Sequence, residues 1–438
     1  MNRSAITILL VVLTAIGGLF FISAFMDIVV LMGRHIPQED LATDYLVGLT
    51  WAVFLGITIL IWPAPGQDKK FLCWAWTIKC LVTLGFMLIY ENHYPTDAFG
   101  YFEEAKSEFY VWSMFRLGQG GENVIRLAHL HTMLFPASFH MMKVTFSMIG
   151  FIALYTFYRA GTLFIGKGSA LVFWTVMLFP THIFWSSILG KDPIILLGVA
   201  CYAYGVIGWY RLDRPRYLIF MALGILGAMF IRVWMGAILT LPLSAFFISR
   251  IRSMLGRMTF IAVVLMCFHF ANERVRERFN IETRQEIVQT AAGTAQAWAI
   301  GGSAQLMDSQ FDSLQRMILF LPIGVSSALF RPLPGEVANL FGALASLENV
   351  AFLLLVLVAI VRSRWYDLLD PMVLWATALL GTWAFTYAFV SYQNLGTAAR
   401  FKMQIMPIFI GLIMYLSRRR AVVAVQPTQA QKAPAASL

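Results

Sequence analysis

Charge is what this sequence has least of: only 13% of its 438 residues are Asp, Glu, Lys or Arg, against 59% hydrophobic. A soluble globule of that length cannot cover itself with so few charges, so a soluble enzyme or soluble binding module is excluded. Cysteine is scarce too. Cys73, Cys80, Cys201 and Cys267 all lie within apolar runs, without the paired spacing of a disulfide framework or a zinc site, and read as small apolar filler. Acidic residues are outnumbered by basic ones, 23 to 33, for a formal charge of +10. The basic residues form short clusters between apolar runs, the pattern of cytoplasmic loops rather than of a phosphate-binding groove, so no nucleic-acid partner is expected.

What the chain has in abundance is long apolar runs, and its mean hydropathy is +0.72. It reads as an all-α, polytopic transmembrane helix bundle surrounded by membrane lipids. At roughly 20 apolar residues per crossing, about twelve crossings are predicted, near 6–32, 45–63, 71–90, 132–157, 169–187, 193–209, 216–231, 235–249, 258–271, 347–362, 371–391 and 401–417. The first run is too long for a signal-peptide core and lacks a small-residue cleavage site, so it is expected to stay as a membrane helix. The pair flanking Arg232 is short enough to be re-entrant.

Basic clusters at Asp68-Lys69-Lys70, Arg159 to Lys167, Arg211 to Arg216, Arg250 to Arg257, Arg362 to Arg364 and Arg418-Arg419-Arg420 occupy every second connection. By the positive-inside bias these connections and both termini are cytoplasmic, as in a multi-pass protein of a bacterial inner membrane. Two longer loops then face outward, at about 91–131 and 272–346. The second carries an expected amphipathic helix from Asn280 to Trp298, with Trp298 and Phe320 at the bilayer surface. Residues 1–420 form the transmembrane domain, and 421–438, low in apolar bulk, form a disordered cytoplasmic tail.

The unusual residues gather on the inferred outer face. Asp97 and Tyr101 stand four apart in a carboxylate-rich stretch with Glu103 and Glu104, and a helix begun by Thr96 or Asp97 puts the pair on one face. A carboxylate there can act as a general base to a hydroxyl or bind a divalent cation; as a plain helix cap it would do neither. No metal-ligand spacing accompanies it, so no metal is assigned and no cofactor is certain, a divalent cation remaining an option.

Lys191-Asp192-Pro193 is the expected start of a helix, with Asp192 as cap and Pro193 in its first position. Lys191 opposes the helix dipole there and needs an anion or a route to water. Phe184 and Trp185 just before it read as an interfacial aromatic belt. Arg232 is flanked by apolar residues on both sides, and Arg400 with Lys402 sits at a helix start. Guanidinium groups so placed match phosphate oxygens, although both could instead snorkel to headgroups. His93, His129, His131 and His182 are weaker candidates for bases.

Three segments resemble the integral-membrane glycosyltransferases of the C superfamily, which use polyprenyl-phosphate sugars and are related to protein mannosyltransferases. They are Asp97 with Tyr101, the Pro-x-x-x-Phe-Trp-Ser-Ser…Gly-Lys-Asp run from Pro180 to Asp192, and Asn-x-Gly-Thr-x-x-Arg-Phe…Pro from Asn394 to Pro407. The resemblance implies many helices beneath an outer-face cavity, a donor such as an undecaprenyl-phosphate sugar, Asp97 as catalytic base and the basic residues near the lipid phosphate. In that superfamily the acidic loop usually follows the first crossing; here it follows the third.

The expected partners are therefore a polyprenyl-phosphate-linked sugar and a glycan or lipid acceptor. Tyr101, Glu104, Lys191, Asp192, Arg232 and Arg400 are the expected binding residues. An O-antigen or exopolysaccharide polymerase or ligase would instead use Arg274, Arg276, Arg278 and Arg284. A glycolipid transporter or flippase would carry charges near mid-membrane on several helices and helices broken by Gly/Pro pairs, whereas the charges seen here collect at one face.

Overall fold

The computed structural model describes residues 21–94, 96–107, 115–251, 253–279, 313–337 and 339–418, with a few positions between 286 and 293. The chain is helical, with no β-sheet among the described residues. In chain order the helices are α1 (Phe21–Met32), α2 (Leu41–Thr58), α3 (Gly66–His93), α4 (Asp97–Ala105), α5 (Gly120–Leu134), α6 (Phe139–Ile165), α7 (Ala170–Leu178), α8 (Pro180–Trp185) and α9 (Lys191–Leu212). They continue with α10 (Arg216–Ile231), α11 (Trp234–Arg250), α12 (Met254–Phe279), α13 (Leu314–Phe330), α14 (Leu340–Arg362), α15 (Pro371–Ser391), α16 (Leu395–Lys402) and α17 (Met406–Leu416). Among the described residues, five helices are long and apolar enough to cross a membrane, namely α3, α6, α9, α14 and α2 with its short continuation to Ile61. Counting the bent α16–α17 pair as one span makes six. The bundle is that of a membrane protein, but the twelve full crossings expected from apolar runs do not appear among the described residues.

Residues 6–20 of the first expected crossing lie outside the described residues, and part of the remaining shortfall has local causes. Proline disfavours a helical residue before it, so the expected crossing at 169–187 is divided at Phe179, which is extended, into α7 and α8. The expected crossing at 401–417 bends by 67° between α16 and α17. Conversely, α13 fills part of what reads as an outer loop; Pro322 inside it weakens the apolar signal. Its Phe320 meets Tyr392 edge-on at 4.6 Å, so that ring packs against protein. Trp298, most of the expected 280–298 helix, Arg284 and the 421–438 tail lie outside the described residues.

Helix ends are set by ordinary caps. Asp40, Ser138, Asn339, Asp370 and Asn394 each accept a hydrogen bond from a backbone N–H in the first turn of α2, α6, α14, α15 and α16. Asp192 is not the cap of α9. That helix starts two residues earlier than expected, with Gly190 as its N-cap, which leaves the Asp192 carboxylate free for another partner.

The antiparallel α9–α10 hairpin fixes where two of the unusual charges lie. A Cβ added to Gly198 would lie 2.7 Å from the backbone of Ala228, and one on Gly224 would lie 2.3 Å from that of Tyr202. Only glycine permits helices this close. Since α9 begins where α10 ends, Lys191 and Asp192 are held at the same end of the bundle as Arg232.

Candidate functional site

Four segments meet at that end. Helix α4 brings Asp97 and Tyr101 on consecutive turns. The first turn of α9 brings Lys191 and Asp192, the residue after α10 is Arg232, and α16 carries Arg400. A turn at Gly118, whose φ of 82° suits glycine, packs against Val233 and starts α5. Asn123 on α5 then donates to the carbonyls of Phe230 at 2.6 Å and Arg116 at 2.7 Å, tying that turn to the end of α10.

Arg400 lies between the two aspartates. Its Nε donates to Asp192 Oδ2 at 2.5 Å, and its Nη1 stands 3.9 Å from Asp97 Oδ2. The two carboxylates differ in setting. Asp192 is fully buried and its Oδ1 has no partner among the described residues, whereas the Asp97 side chain is 59% exposed. Asp192 therefore positions the guanidinium, and Asp97 holds it loosely from the solvent side. The two carboxylates are thus bridged by a guanidinium.

Lys191 lies over the Tyr101 ring with Nζ 5.6 Å from its centre. The charges of Asp97, Asp192, Arg232 and Arg400 all reach both Lys191 and Tyr101. Burial, reinforced by Asp97, holds the Tyr101 phenol well above its ordinary pKa, so it stays protonated and able to donate. Arg232 donates from Nη1 to the Tyr387 hydroxyl at 2.8 Å, and its guanidinium lies 3.8 Å over the Phe401 ring. Neither Lys191 nor Arg232 has a carboxylate at ion-pair distance among the described residues. Three cations thus face two carboxylates, a balance that suits an anion. Glu104 is exposed near the end of α4, past the turns that carry Asp97 and Tyr101.

Compared with known proteins, the chain matches no family model, no curated protein and no solved structure.

The histidines are engaged elsewhere. His93, His129 and His182 bond backbone carbonyls, and His131 bonds the Thr145 hydroxyl. Burial pushes His131 down to about 4, so its ring is neutral. Phe184 and Trp185 are both half-buried and pack edge-on against Tyr90, and Trp185 lies 5.6 Å beneath Arg400.

Sequence reasoning passed over several polar groups within apolar runs. Lys79, halfway along α3, is buried and donates to Ser186 Oγ at 2.6 Å and Ser187 Oγ at 3.1 Å. Glu91 pairs with Lys143 at 2.7 Å, and His140 pairs with Asp44. Glu348 accepts from Thr181 at 2.8 Å (N) and 2.5 Å (Oγ1), and Asn349 beside it bonds Lys402, the cation already noted with Arg400. A lone charge inside an apolar run was the signal available for each.

Proposed function

We propose that the chain is a membrane glycosyltransferase moving a sugar from a polyprenyl-phosphate donor to an envelope or exopolysaccharide acceptor on the outer face of the bacterial inner membrane. One observation carries the reading: Asp97, exposed and loosely held, stands beside a cluster in which Lys191, Arg232 and Arg400 outnumber the carboxylates. The acceptor hydroxyl attacks the anomeric carbon of the donor, its proton passes to Asp97, and the bond from that carbon to the phosphate oxygen breaks. The leaving phosphate gains charge as the bond breaks. Preorganised guanidinium and ammonium groups stabilise it more than they stabilise the intact donor, and the Tyr101 hydroxyl adds a donor.

The test is a lipid-linked-glycan profile of a deletion strain complemented with wild type or Asp97→Asn. The deletion strain should accumulate a polyprenyl-monophosphate sugar; wild type should clear it and the variant, at equal membrane abundance, should not. Near-normal clearance by Asp97→Asn removes Asp97 from the mechanism. Accumulation of a diphosphate-linked glycan points instead to a polymerase or ligase.

A glycolipid transporter or flippase is the second reading, favoured by the Lys79 ammonium halfway along α3 and by the 67° break between α16 and α17. Movement of labelled glycolipid across vesicles with no glycosidic bond formed would select it.

A further inference from the structure

A cavity of about 210 Å³ borders the charged cluster. Its walls come from the end of α3 (Tyr90) and the residue after it (Tyr94), from α8 (Phe184, Trp185) and from the start of α14 (Phe341). Tyr90 is the hub: its ring meets Phe341 at 5.0 Å, Phe184 at 5.3 Å and Trp185 at 5.6 Å, each edge-on. Such a wall accepts either a hydrocarbon chain or the C–H face of a sugar ring.

Two observations choose between them. Glu348 on α14 lines the same cavity, the one carboxylate of a largely apolar helix. Thr181 supplies two hydrogen bonds to it, and a carboxylate has roughly four acceptor positions. A hydrocarbon would desolvate the remaining positions without replacing water, whereas sugar hydroxyls donate to them. The second observation is that Trp185 is shared, lining the cavity on one side and lying beneath Arg400 on the other. An occupant therefore sits beside the guanidinium assigned above to phosphate, as a glycosyl group sits beside its phosphate.

We propose that this cavity is a carbohydrate subsite that takes one pyranose ring, stacked on its aromatic wall and hydrogen-bonded through hydroxyls to Glu348. The assignment rests on the glycosyl-transfer reading and adds to it a pocket and its ligand class.

The experiment uses the full chain in nanodiscs, titrated calorimetrically with methyl glucoside, methyl mannoside, methyl galactoside and N-acetylglucosamine, and separately with decyl phosphate. At least one saccharide should bind saturably, and Phe341→Leu and Glu348→Gln should each weaken it at least tenfold. Glu348→Gln keeps an acceptor for Thr181, so the fold is retained. Decyl phosphate, whose headgroup probes the charged cluster, should lose affinity in Arg400→Ala and keep it in the two cavity variants. The subsite is overturned if no saccharide binds, if binding is equal in both cavity variants and wild type, or if Phe341→Leu abolishes decyl phosphate binding, which gives the cavity to the lipid chain. If saccharides behave as expected while Arg400→Ala leaves decyl phosphate binding intact, the subsite stands and the phosphate assignment fails.

Discussion

Glu91–Lys143 and Asp97–Arg400–Asp192 are both carboxylate–cation groups near one end of the bundle, and they are built in opposite ways. The first is closed: a 2.7 Å pair whose side chains are 1% and 0% exposed. The second is graded, tight and buried at Asp192, loose and open at Asp97. A closed pair offers a ligand nothing, because any anion must first displace a partner in a site that water does not reach. An open one can exchange Asp97 for an incoming phosphate while Asp192 keeps the guanidinium in place.

Breaking the closed pair should have the largest effect. Lys143→Met strands a buried carboxylate and should destabilise the protein by about 3–5 kcal/mol, read as a lowered thermal midpoint in detergent. Adding Glu91→Leu should recover most of that loss. In the open cluster a change that keeps the positive charge should spare the fold. Arg400→Lys removes the planar fork that reaches both carboxylates and should lower transfer about a hundredfold, with the thermal midpoint unchanged. A smaller loss, about tenfold, is expected for Tyr101→Phe. Since burial holds that phenol protonated well above its ordinary range, its removal should leave the alkaline limb of the pH–rate profile where it was.

The smallest effect sharpens the contrast from outside both groups. His131 titrates at about 4 in the fold and at ~6.5 when unfolded. Between those values the unfolded chain binds the extra proton, so this residue leaves stability intact above ~6.5 and erodes it as pH falls toward 4. His131→Gln should flatten that decline in thermal midpoint.

A residue's legibility in the sequence depends on whether its role is set locally or by distant neighbours. Lys191, Arg232 and Arg400 stand out because each is a cation at the edge of an apolar run, and apolar runs fix helix ends to within a few residues. That they gather around Asp97 and Tyr101 depends on which helices neighbour one another, which hydropathy does not register; the Gly198–Gly224 contact settles it for α9 and α10. Apolar runs predict more crossings than there are long apolar helices among the described residues, in part because composition alone does not reveal the break at Phe179 or the bend before Met406. Asp192 reads as a cap because Asp before Pro often is one, yet Gly190 takes that role and releases the carboxylate to Arg400. Glu348 is lost at the margin of an apolar run, its hydrogen-bond donor Thr181 lying 167 positions earlier in the chain.

The glycine seam between α9 and α10 also acts as a gauge. Lys191 and Arg232 lie on opposite arms of one hairpin whose backbones pack too closely to slide past one another, so the two backbone positions are held in register. A longer side chain at either glycine would shift one arm along the other and carry its cation out of register with its neighbour.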